Sequence, residues 1–201
     1  MDHIDVHRDD EGAKLGMWVF LFTEILLFGG LFLVYAVMRS RYPSEFHEAA
    51  HHLNAFIGTI NTLVLLISSM TVAMSITAVQ KGNPKLALNL LFVTLLCALI
   101  FLVNKYFEWG HKFHIQLYPG SDLMISLKHG SVMFFSLYFF MTGLHLLHLV
   151  VGAIILLIVM IKVKNGTINH EKYTLLENGG LYWHLVDLIW IFLFPLLYLI
   201  T

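Results

Sequence analysis

Charged residues are scarce in this sequence. Of its 201 residues, 12% are charged and 58% are hydrophobic, whereas an average soluble domain has roughly 25% and 45–50%. Proline is also rare, with four residues, so few positions interrupt a helix. The single cysteine, Cys97, has no partner for an intramolecular disulfide bond. These shortages exclude a disordered chain and a disulfide-stabilised secreted domain, and the apolar excess argues against a water-soluble globule.

An excess of positive charge is missing as well. The chain has 12 lysine and arginine residues against 13 aspartate and glutamate residues, which gives a formal net charge of -1. A protein that binds nucleic acid needs a basic surface to neutralise phosphates. We therefore expect no nucleic acid partner, and we expect the chain to contact mostly membrane lipid.

Five apolar stretches are long enough to cross a hydrocarbon core about 30 Å thick, which requires about 20 helical residues. Because open strands would leave backbone groups unpaired in lipid, we expect these stretches to be helices. The sequence therefore predicts an all-α, polytopic membrane protein in which residues 1–201 form a single transmembrane domain. The predicted helices run from about 15–38, 55–79, 86–107, 131–161 and 181–200.

Two turn sequences separate the predicted helices. Residues 82–84 (Gly-Asn-Pro) lie between the second and third helices. Since asparagine can cap a helix and proline can occupy its first turn, we expect these two helices to form a hairpin. The longest predicted connection runs from Glu108 to Gly130 and contains a turn sequence at residues 119–122 (Pro-Gly-Ser-Asp).

The lysine and arginine residues are divided unevenly between the two predicted sides. Cytoplasmic loops carry an excess of these residues, and the side that holds the N-terminus has seven against five. We therefore predict a cytoplasmic N-terminus and, because the number of helices is odd, an external C-terminus at Thr201. The N-terminal side carries Arg8, Lys14, Lys81, Lys85, Lys162, Lys164 and Lys172, and the opposite side carries Arg39, Arg41, Lys105, Lys112 and Lys128.

A carboxyl group lies inside the first predicted helix, at Glu24. A charge near the centre of a membrane helix costs roughly 2.5–3.5 kcal/mol on insertion scales, so such a residue requires an explanation. Apolar neighbours on both sides favour the neutral form of the carboxyl. Two interpretations remain open: a site for a proton or a lipid head group, or a protonated carboxyl that is hydrogen-bonded to a neighbouring helix.

Polar residues form one stripe on the fourth predicted helix and another on the fifth. Residues three and four positions apart share a helix face. We expect the two stripes to face each other, so that the histidines of the fourth helix bond across the interface and Asp187 orients His184. The stripes consist of Thr142, His145, His148 and Gly152 on the fourth helix, and of Gly180, His184, Asp187 and Ile191 on the fifth.

A metal or haem site is the alternative interpretation of these histidines. His145 or His148, together with His184, could supply axial haem ligands from two helices, as in a small dihaem membrane cytochrome that handles quinol. The close ligand spacings of a structural zinc site are absent. Residues 47–52 contain three further histidines that could catch an adventitious metal, although a solvated loop is the favoured interpretation.

Several segments together resemble one family. Residues 177–194 (ENGGLYWHLVDLIWIFLF) closely resemble the final-helix signature of subunit III of haem-copper cytochrome oxidases. Residues 142–149 (TGLHLLHL) are similar to that family's Thr-Gly-x-His-Gly-x-His helix, and residues 23–28 (TEILLF) resemble its Ser/Thr-Glu-x-x-x-Phe segment. Residues 68–71, Gly82, Lys85 and Glu108 follow in the family's order. The resemblance covers about residues 16–198, with two departures: Leu146 replaces the usual glycine between the two histidines, and the first two helices of the longer members are lacking.

The resemblance implies an accessory subunit that is not itself catalytic and binds no haem, copper or other metal. In this family, subunit I reduces oxygen and holds the haem and copper, while subunit III packs against it, stabilises it and supports proton uptake. The chain is similar to the five-helix form found in the bacterial inner membrane, which lacks the first two helices of longer members. The implied process is aerobic respiratory electron transport with proton pumping.

The resemblance also assigns roles to individual residues. Glu24 matches the family's buried carboxyl, which faces lipid. The other matching polar positions are expected to be structural, and none is expected to be catalytic; they are Glu108, Thr142, His145, His148, Glu177, His184 and Asp187. Expected partners are oxidase subunit I, other oxidase subunits, membrane lipid with bound phospholipid, and a respiratory supercomplex. Subunit III of a quinol oxidase, or of a nitric oxide reductase system, is the nearest alternative.

Overall fold

The computed structural model describes residues 10–200, and its ordered elements in this range are helices. Five of them are long and apolar enough to cross a membrane. The predicted all-α bundle of five transmembrane helices is therefore confirmed. The long helices are α1 (Asp10–Arg41), α3 (Ala55–Gln80), α4 (Pro84–His114), α6 (His129–Lys164) and α7 (Thr174–Tyr198), and the short ones are α2 (Pro43–Ala50) and α5 (Asp122–Ser126).

The long helices extend beyond the apolar stretches that the sequence marks. Helix α4 continues through Glu108 to His114, so the prediction that a loop begins at Glu108 was wrong. Helix α7 begins at Thr174, seven residues before the predicted start at Leu181. Hydropathy marks only the part of a helix that lies in lipid, whereas the backbone can continue its hydrogen bonding into the aqueous interface.

The turn between α3 and α4 has the predicted chemistry. Asn83 caps α4 by accepting a hydrogen bond from the Leu86 amide (3.2 Å), and Pro84 occupies the first position of the helix. Gly82 adopts a positive φ of 70°, a conformation that side chains disfavour. The two helices pack against each other as an antiparallel hairpin, so this prediction is confirmed.

Four helices form a closed ring of contacts. Helix α3 packs on α4, α4 on α6, α6 on α7, and α7 on α3. Helix α1 lies outside this ring and packs on α6 and α7 through three buried residues spaced by seven: Leu21, Phe28 and Tyr35. A spacing of seven keeps residues on one helix face. Most of α1 is therefore free to contact lipid or another subunit.

Helix α2 was not predicted, because the sequence favoured a solvated loop there. Pro43 begins the helix, and Phe46 anchors it in the core. The Phe46 ring lies 5.5 Å from the Tyr35 ring and 5.4 Å from the Phe134 ring. On the same helix, a Glu45 carboxylate oxygen accepts a hydrogen bond from the Gly130 amide at 2.5 Å. Helix α2 is thus fixed to α1 and α6 at the end of the bundle where α1 ends.

Candidate functional site

A cluster of buried polar side chains lies between α4, α6 and α7, and is called here the Lys105 cluster. It consists of Lys105, Glu108, Lys112, Tyr138 and Tyr198. Lys105 is only 1% exposed, and its Nζ donates to Glu108 Oε2 (3.1 Å) and to the Tyr198 hydroxyl (2.6 Å). The hydroxyls of Tyr138 and Tyr198 in turn donate to Glu108 Oε1, at 2.6 and 2.5 Å. The three helices are therefore joined by one hydrogen-bonded network.

Aromatic rings surround the ammonium group of Lys105. Its Nζ lies 5.3 Å from the ring centroid of Tyr138, 4.8 Å from that of Trp190 and 5.1 Å from that of Tyr198. A cation over an aromatic face is stabilised by the ring quadrupole, most strongly where water is excluded. The cage therefore offsets part of the cost of burying this charge.

A second ammonium group, that of Lys112, lies in the same region. Its Nζ donates to the backbone carbonyl of His52 (3.2 Å) and lies 5.4 Å from the Tyr138 ring centroid. Helix α4 has 31 residues and is about 46 Å long at ~1.5 Å per residue, which exceeds the hydrocarbon thickness. The cluster lies in the last third of this helix, near the membrane interface.

This cluster was not predicted from the sequence. Lys105 and Lys112 were counted as loop charges, yet both are buried on α4. Glu108 was singled out only through the family resemblance. The spacing of the three charged residues could have indicated the cluster. Lys105, Glu108 and Lys112 are separated by three and four positions, so they share one helix face.

Glu24 and His148 form a separate pair between α1 and α6. Glu24 Oε2 lies 2.9 Å from His148 Nε2, and both side chains are largely buried. His148 Nδ1 lies 2.7 Å from the Leu144 carbonyl in the preceding turn of α6. If Nδ1 donates a hydrogen bond to that carbonyl, Nε2 can accept a hydrogen bond from a neutral Glu24 carboxyl. The pair matches the interpretation in which Glu24 bonds to a neighbouring helix.

His145 lies deep inside the ring of helices and has no such partner. It is 0% exposed, and neither ring nitrogen has a hydrogen-bond partner. Its ring lies 5.6 Å from that of Phe101 and 5.2 Å from that of Trp190. Protein side chains therefore fill the space beside this imidazole, where the haem interpretation would need a macrocycle.

Helix α3 supplies the partners of the polar residues on α7. The Ser69 hydroxyl lies 2.6 Å from His184 Nδ1, and the Ser68 hydroxyl lies 3.4 Å from Asp187 Oδ2. Trp183 Nε1 donates to Ser68 Oγ at 3.1 Å. Two predictions were therefore wrong: the imidazole of His148 bonds to Glu24 of α1 rather than to a side chain of α7, and Asp187 does not orient His184.

The two remaining predicted residues lie apart from these groups. Thr142 is fully buried, and its hydroxyl donates to the Tyr138 carbonyl in its own helix at 2.5 Å. Glu177 forms an ion pair with Lys14 of α1 at 2.8 Å, with both side chains partly exposed. The predicted site residues thus do not form one centre; they join helix pairs at separate places along the bundle.

Leu146, the departure from the family motif, is accommodated without crowding the core. Its side chain is half-buried and lines a groove of about 810 Å³ on the outside of α4 and α6, together with Trp109 and Phe113. The larger side chain therefore projects into open space on the lipid side rather than into the ring of helices.

Among residues 10–200, no three or more His, Cys, Asp and Glu side chains lie close enough together to hold a metal ion. The arrangement can hold helices in register through hydrogen bonds and buried charges. It can also hold a proton on the Glu24–His148 pair.

Comparison with known proteins gives a consistent result. The chain matches the sequence profile described as "Cytochrome c oxidase subunit III" over residues 5–201. It is 33% identical to cytochrome c oxidase subunit 3 of Thermostichus vulcanus, over all of this chain and 92% of that protein. It is 32% identical to a probable quinol oxidase subunit 3 of Staphylococcus saprophyticus, over 96% of this chain and 92% of that protein.

A third relative is a longer protein. The heme-copper oxidase subunit I+III of Aeropyrum pernix is 30% identical to this chain, over 93% of the chain and 22% of that protein. The profile match spans the residues that form the five apolar helices. The chain belongs to the cytochrome c oxidase subunit III family.

Proposed function

We propose that this chain is the accessory subunit III of a haem-copper terminal oxidase of the cytochrome c oxidase type, and that it has no catalytic residue of its own. The observation that carries the proposal is the match to the subunit III family over residues 5–201. The geometry supports it, because the buried polar groups join helices to one another. The haem and copper that reduce oxygen belong, in this proposal, to partner subunits.

Subunit I is the proposed main partner. One relative is named heme-copper oxidase subunit I+III, and the present chain aligns with 22% of its length. A single polypeptide named for both subunits supports the proposal that subunit III contacts subunit I. Other oxidase subunits, bound phospholipid and membership of a respiratory supercomplex belong to the same proposal.

The outer face of α1 offers room for such contacts. Large apolar side chains on this helix are exposed, among them Leu15, Trp18, Phe22 and Leu33. They can contact lipid chains or a neighbouring transmembrane subunit. We assign Glu24, the buried carboxyl of this helix, to proton or lipid-related support of the catalytic subunit.

The proposed location is a bacterial inner membrane, with the N-terminus in the cytoplasm and the C-terminus outside. The charge count supports this orientation more strongly once burial is considered. Lys105 and Lys112 lie inside the bundle and drop out of the loop count. Seven basic residues then remain on the N-terminal side against three on the other, namely Arg39, Arg41 and Lys128.

A quinol oxidase is the second candidate. The relatives from Staphylococcus saprophyticus and Bacillus spizizenii are named as probable quinol oxidase subunit 3 and quinol oxidase subunit 3. Because the electron donor binds other subunits, the same chain architecture could serve either donor. A nitric oxide reductase system is the further alternative.

Co-purification tests the proposal. The chain should be affinity-tagged in its native host, extracted in mild detergent and analysed by mass spectrometry together with whatever remains bound. A haem-copper subunit I is expected in near-stoichiometric amount, and donor assays with reduced cytochrome c and with quinol then separate the two candidates. Absence of any haem-copper subunit would refute the proposal, and a Soret band from the isolated chain would favour a dihaem cytochrome instead.

A further inference from the structure

Two exposed histidines at the C-terminal end of α2 face each other at a distance that suits a metal ion. His47 lies on α2, and His51, four positions later, is the C-cap residue of the helix; their Nε2 atoms lie 3.2 Å apart. The two rings are nearly perpendicular, with centroids 4.6 Å apart and an interplanar angle of 84°. Both side chains are exposed to solvent, so an ion from solution can reach the two nitrogens.

The distance between the nitrogens fits tetrahedral zinc ligation. Zn–N(His) bonds are about 2.0–2.1 Å long, and two such bonds at a tetrahedral angle place their nitrogens about 3.3 Å apart. A square-planar arrangement would bring them closer, to about 2.9 Å. The observed separation of 3.2 Å therefore lies nearer to the tetrahedral value.

The helix that carries the pair is held in place from its other side. Phe46, Ala49 and Ala50 are buried in the core, and Glu45 accepts a hydrogen bond from Gly130 at the start of α6. An isolated helix of eight residues would be unstable in water. Because tertiary contacts fix α2, the two imidazoles are presented together before any ion arrives, which lowers the entropic cost of binding.

We propose that His47 and His51 bind a divalent transition-metal ion, most favourably Zn²⁺, at the end of the bundle where α1 ends. The protein supplies two neutral imidazole ligands, which suit zinc, copper and nickel. Water completes the coordination, so the ion stays exchangeable and retains open positions. The site is separate from the Lys105 cluster and from the Glu24–His148 pair.

One neighbouring carboxylate affects the charge at this site. Glu48 follows His47 in the helix, and its Oε2 pairs with Lys128 Nζ at 3.3 Å on the exposed surface. Exposed ion pairs are weak because water screens both charges. Glu48 therefore supplies a nearby negative charge that favours a bound cation, without having to act as a ligand.

A direct hydrogen bond between the two imidazoles would also place their nitrogens close together, and the test must separate it from metal binding. Zinc binding should be measured by competition with a chromophoric chelator, using the full chain purified in mild detergent with its bound subunits. The variants are His47→Ala, His51→Ala and His51→Gln. The glutamine amide keeps a hydrogen-bonding partner for His47 but is a poor zinc ligand, so a hydrogen-bonded pair tolerates this change whereas a zinc site does not.

We expect the wild-type protein to bind one more equivalent of Zn²⁺ than each of the three variants, or to bind that equivalent at least tenfold more tightly. The matched control is His114→Ala, since His114 is an exposed histidine at the end of α4. X-ray absorption of the additional zinc should show two nitrogen ligands at about 2.0–2.1 Å besides oxygen. Equal zinc binding by the wild type and the His47→Ala and His51→Ala variants would overturn the proposal, and so would full retention of binding in His51→Gln.

Discussion

Buried charges in this bundle have partners that are specific in geometry. Glu108 accepts hydrogen bonds from the lysine and both tyrosines of the Lys105 cluster, and Glu24 pairs with His148. Taking an ion out of water costs several kcal/mol, and a well-placed partner offsets this cost. Removing one member therefore destabilises more than removing the pair, because the other charge is left buried and alone.

This asymmetry gives a prediction for the Lys105 cluster. Lys105→Met and Glu108→Gln should each lower the stability of the assembled protein by roughly 3–5 kcal/mol, since each leaves an uncompensated buried group. The double variant should lose clearly less than the sum of the two single losses. Thermal unfolding in detergent, followed by circular dichroism at a fixed detergent concentration, measures all three.

Lys85→Met is the matched control for that series. Lys85 lies on the same helix as Lys105 but is exposed near its start, so the substitution should change the melting temperature little. Strictly additive losses in the double variant would contradict an energetic coupling between Lys105 and Glu108.

The membrane depth of Glu24 leads to a second prediction. Glu24→Gln should assemble at nearly the wild-type level, because an amide can still hydrogen-bond to His148 Nε2. Glu24→Lys should assemble poorly, since an ammonium group in the middle of α1 meets the insertion penalty. The amount of chain recovered with its partner subunits in mild detergent is the measurement.

Lysine at the next position, Ile25→Lys, is the matched control for a buried ammonium group at position 24. Ile25 is exposed on α1, so Ile25→Lys can extend its side chain along the lipid face towards the interface. We expect Ile25→Lys to reduce recovery less than Glu24→Lys. If Glu24→Gln and Glu24→Lys are recovered equally well, the buried position of this carboxyl is wrong.

At the residue scale, the sequence identified Glu24 but not its partner. Apolar neighbours mark a buried carboxyl, whereas no local pattern states which face of α6 meets α1. His145 and His148 are three positions apart, a difference of about 60° around the helix axis, and this places one inside the ring and the other against α1. Lys105 was missed because a lysine at the end of an apolar run resembles an ordinary loop charge.

At the scale of elements, α6 and α7 approach each other closely where α6 has a glycine. A Cβ added to Gly152 of α6 would lie 2.9 Å from the Trp183 ring and 3.2 Å from the Tyr182 ring of α7. Trp183 is fully buried and cannot move aside. Small residues at such positions are what allows membrane helices to pack.

The corresponding prediction concerns Gly152→Ala. It should destabilise the protein by about 1–3 kcal/mol through overpacking, which lowers the melting temperature of the purified complex. Gly29→Ala is the control, because a Cβ at Gly29 meets no atom within 4 Å and alanine favours helix by up to about 1 kcal/mol. A melting temperature for Gly152→Ala equal to that of Gly29→Ala would contradict the close contact between α6 and α7.

The middles of the five helices were predictable, and their ends were not. A run of about 20 apolar residues has one stable structure in lipid, so hydropathy finds it. The polar start of α7 and the final turns of α4 lie where water competes for the backbone, and tertiary contacts decide whether the helix continues. Helix α2 depends in the same way on the burial of Phe46, which local sequence does not reveal.

At the scale of the whole molecule, the ring of four helices leaves α1 on the outside and places the polar groups at different depths. The Glu177–Lys14 ion pair lies near the N-terminal end of the bundle, the Glu24–His148 pair near the middle, and the Lys105 cluster near the other end. The helices are thus joined at three levels. A bundle joined in this way can keep its shape while its outer surface contacts lipid and a larger neighbour.

The orientation of this bundle gives the last prediction. With a cytoplasmic N-terminus, the connection between α6 and α7 faces the cytoplasm, and the one between α4 and α6 faces outside. In a Cys97→Ala background, which removes the single thiol, Ser126→Cys should react with a membrane-impermeant maleimide in right-side-out spheroplasts. Asn165→Cys should react only after the membrane is permeabilised. Both positions are exposed outside the long helices, so both cysteines should react in permeabilised membranes, which serve as the control. If only Asn165→Cys is labelled in sealed spheroplasts, the orientation is the reverse of the one that the excess of lysine and arginine predicts.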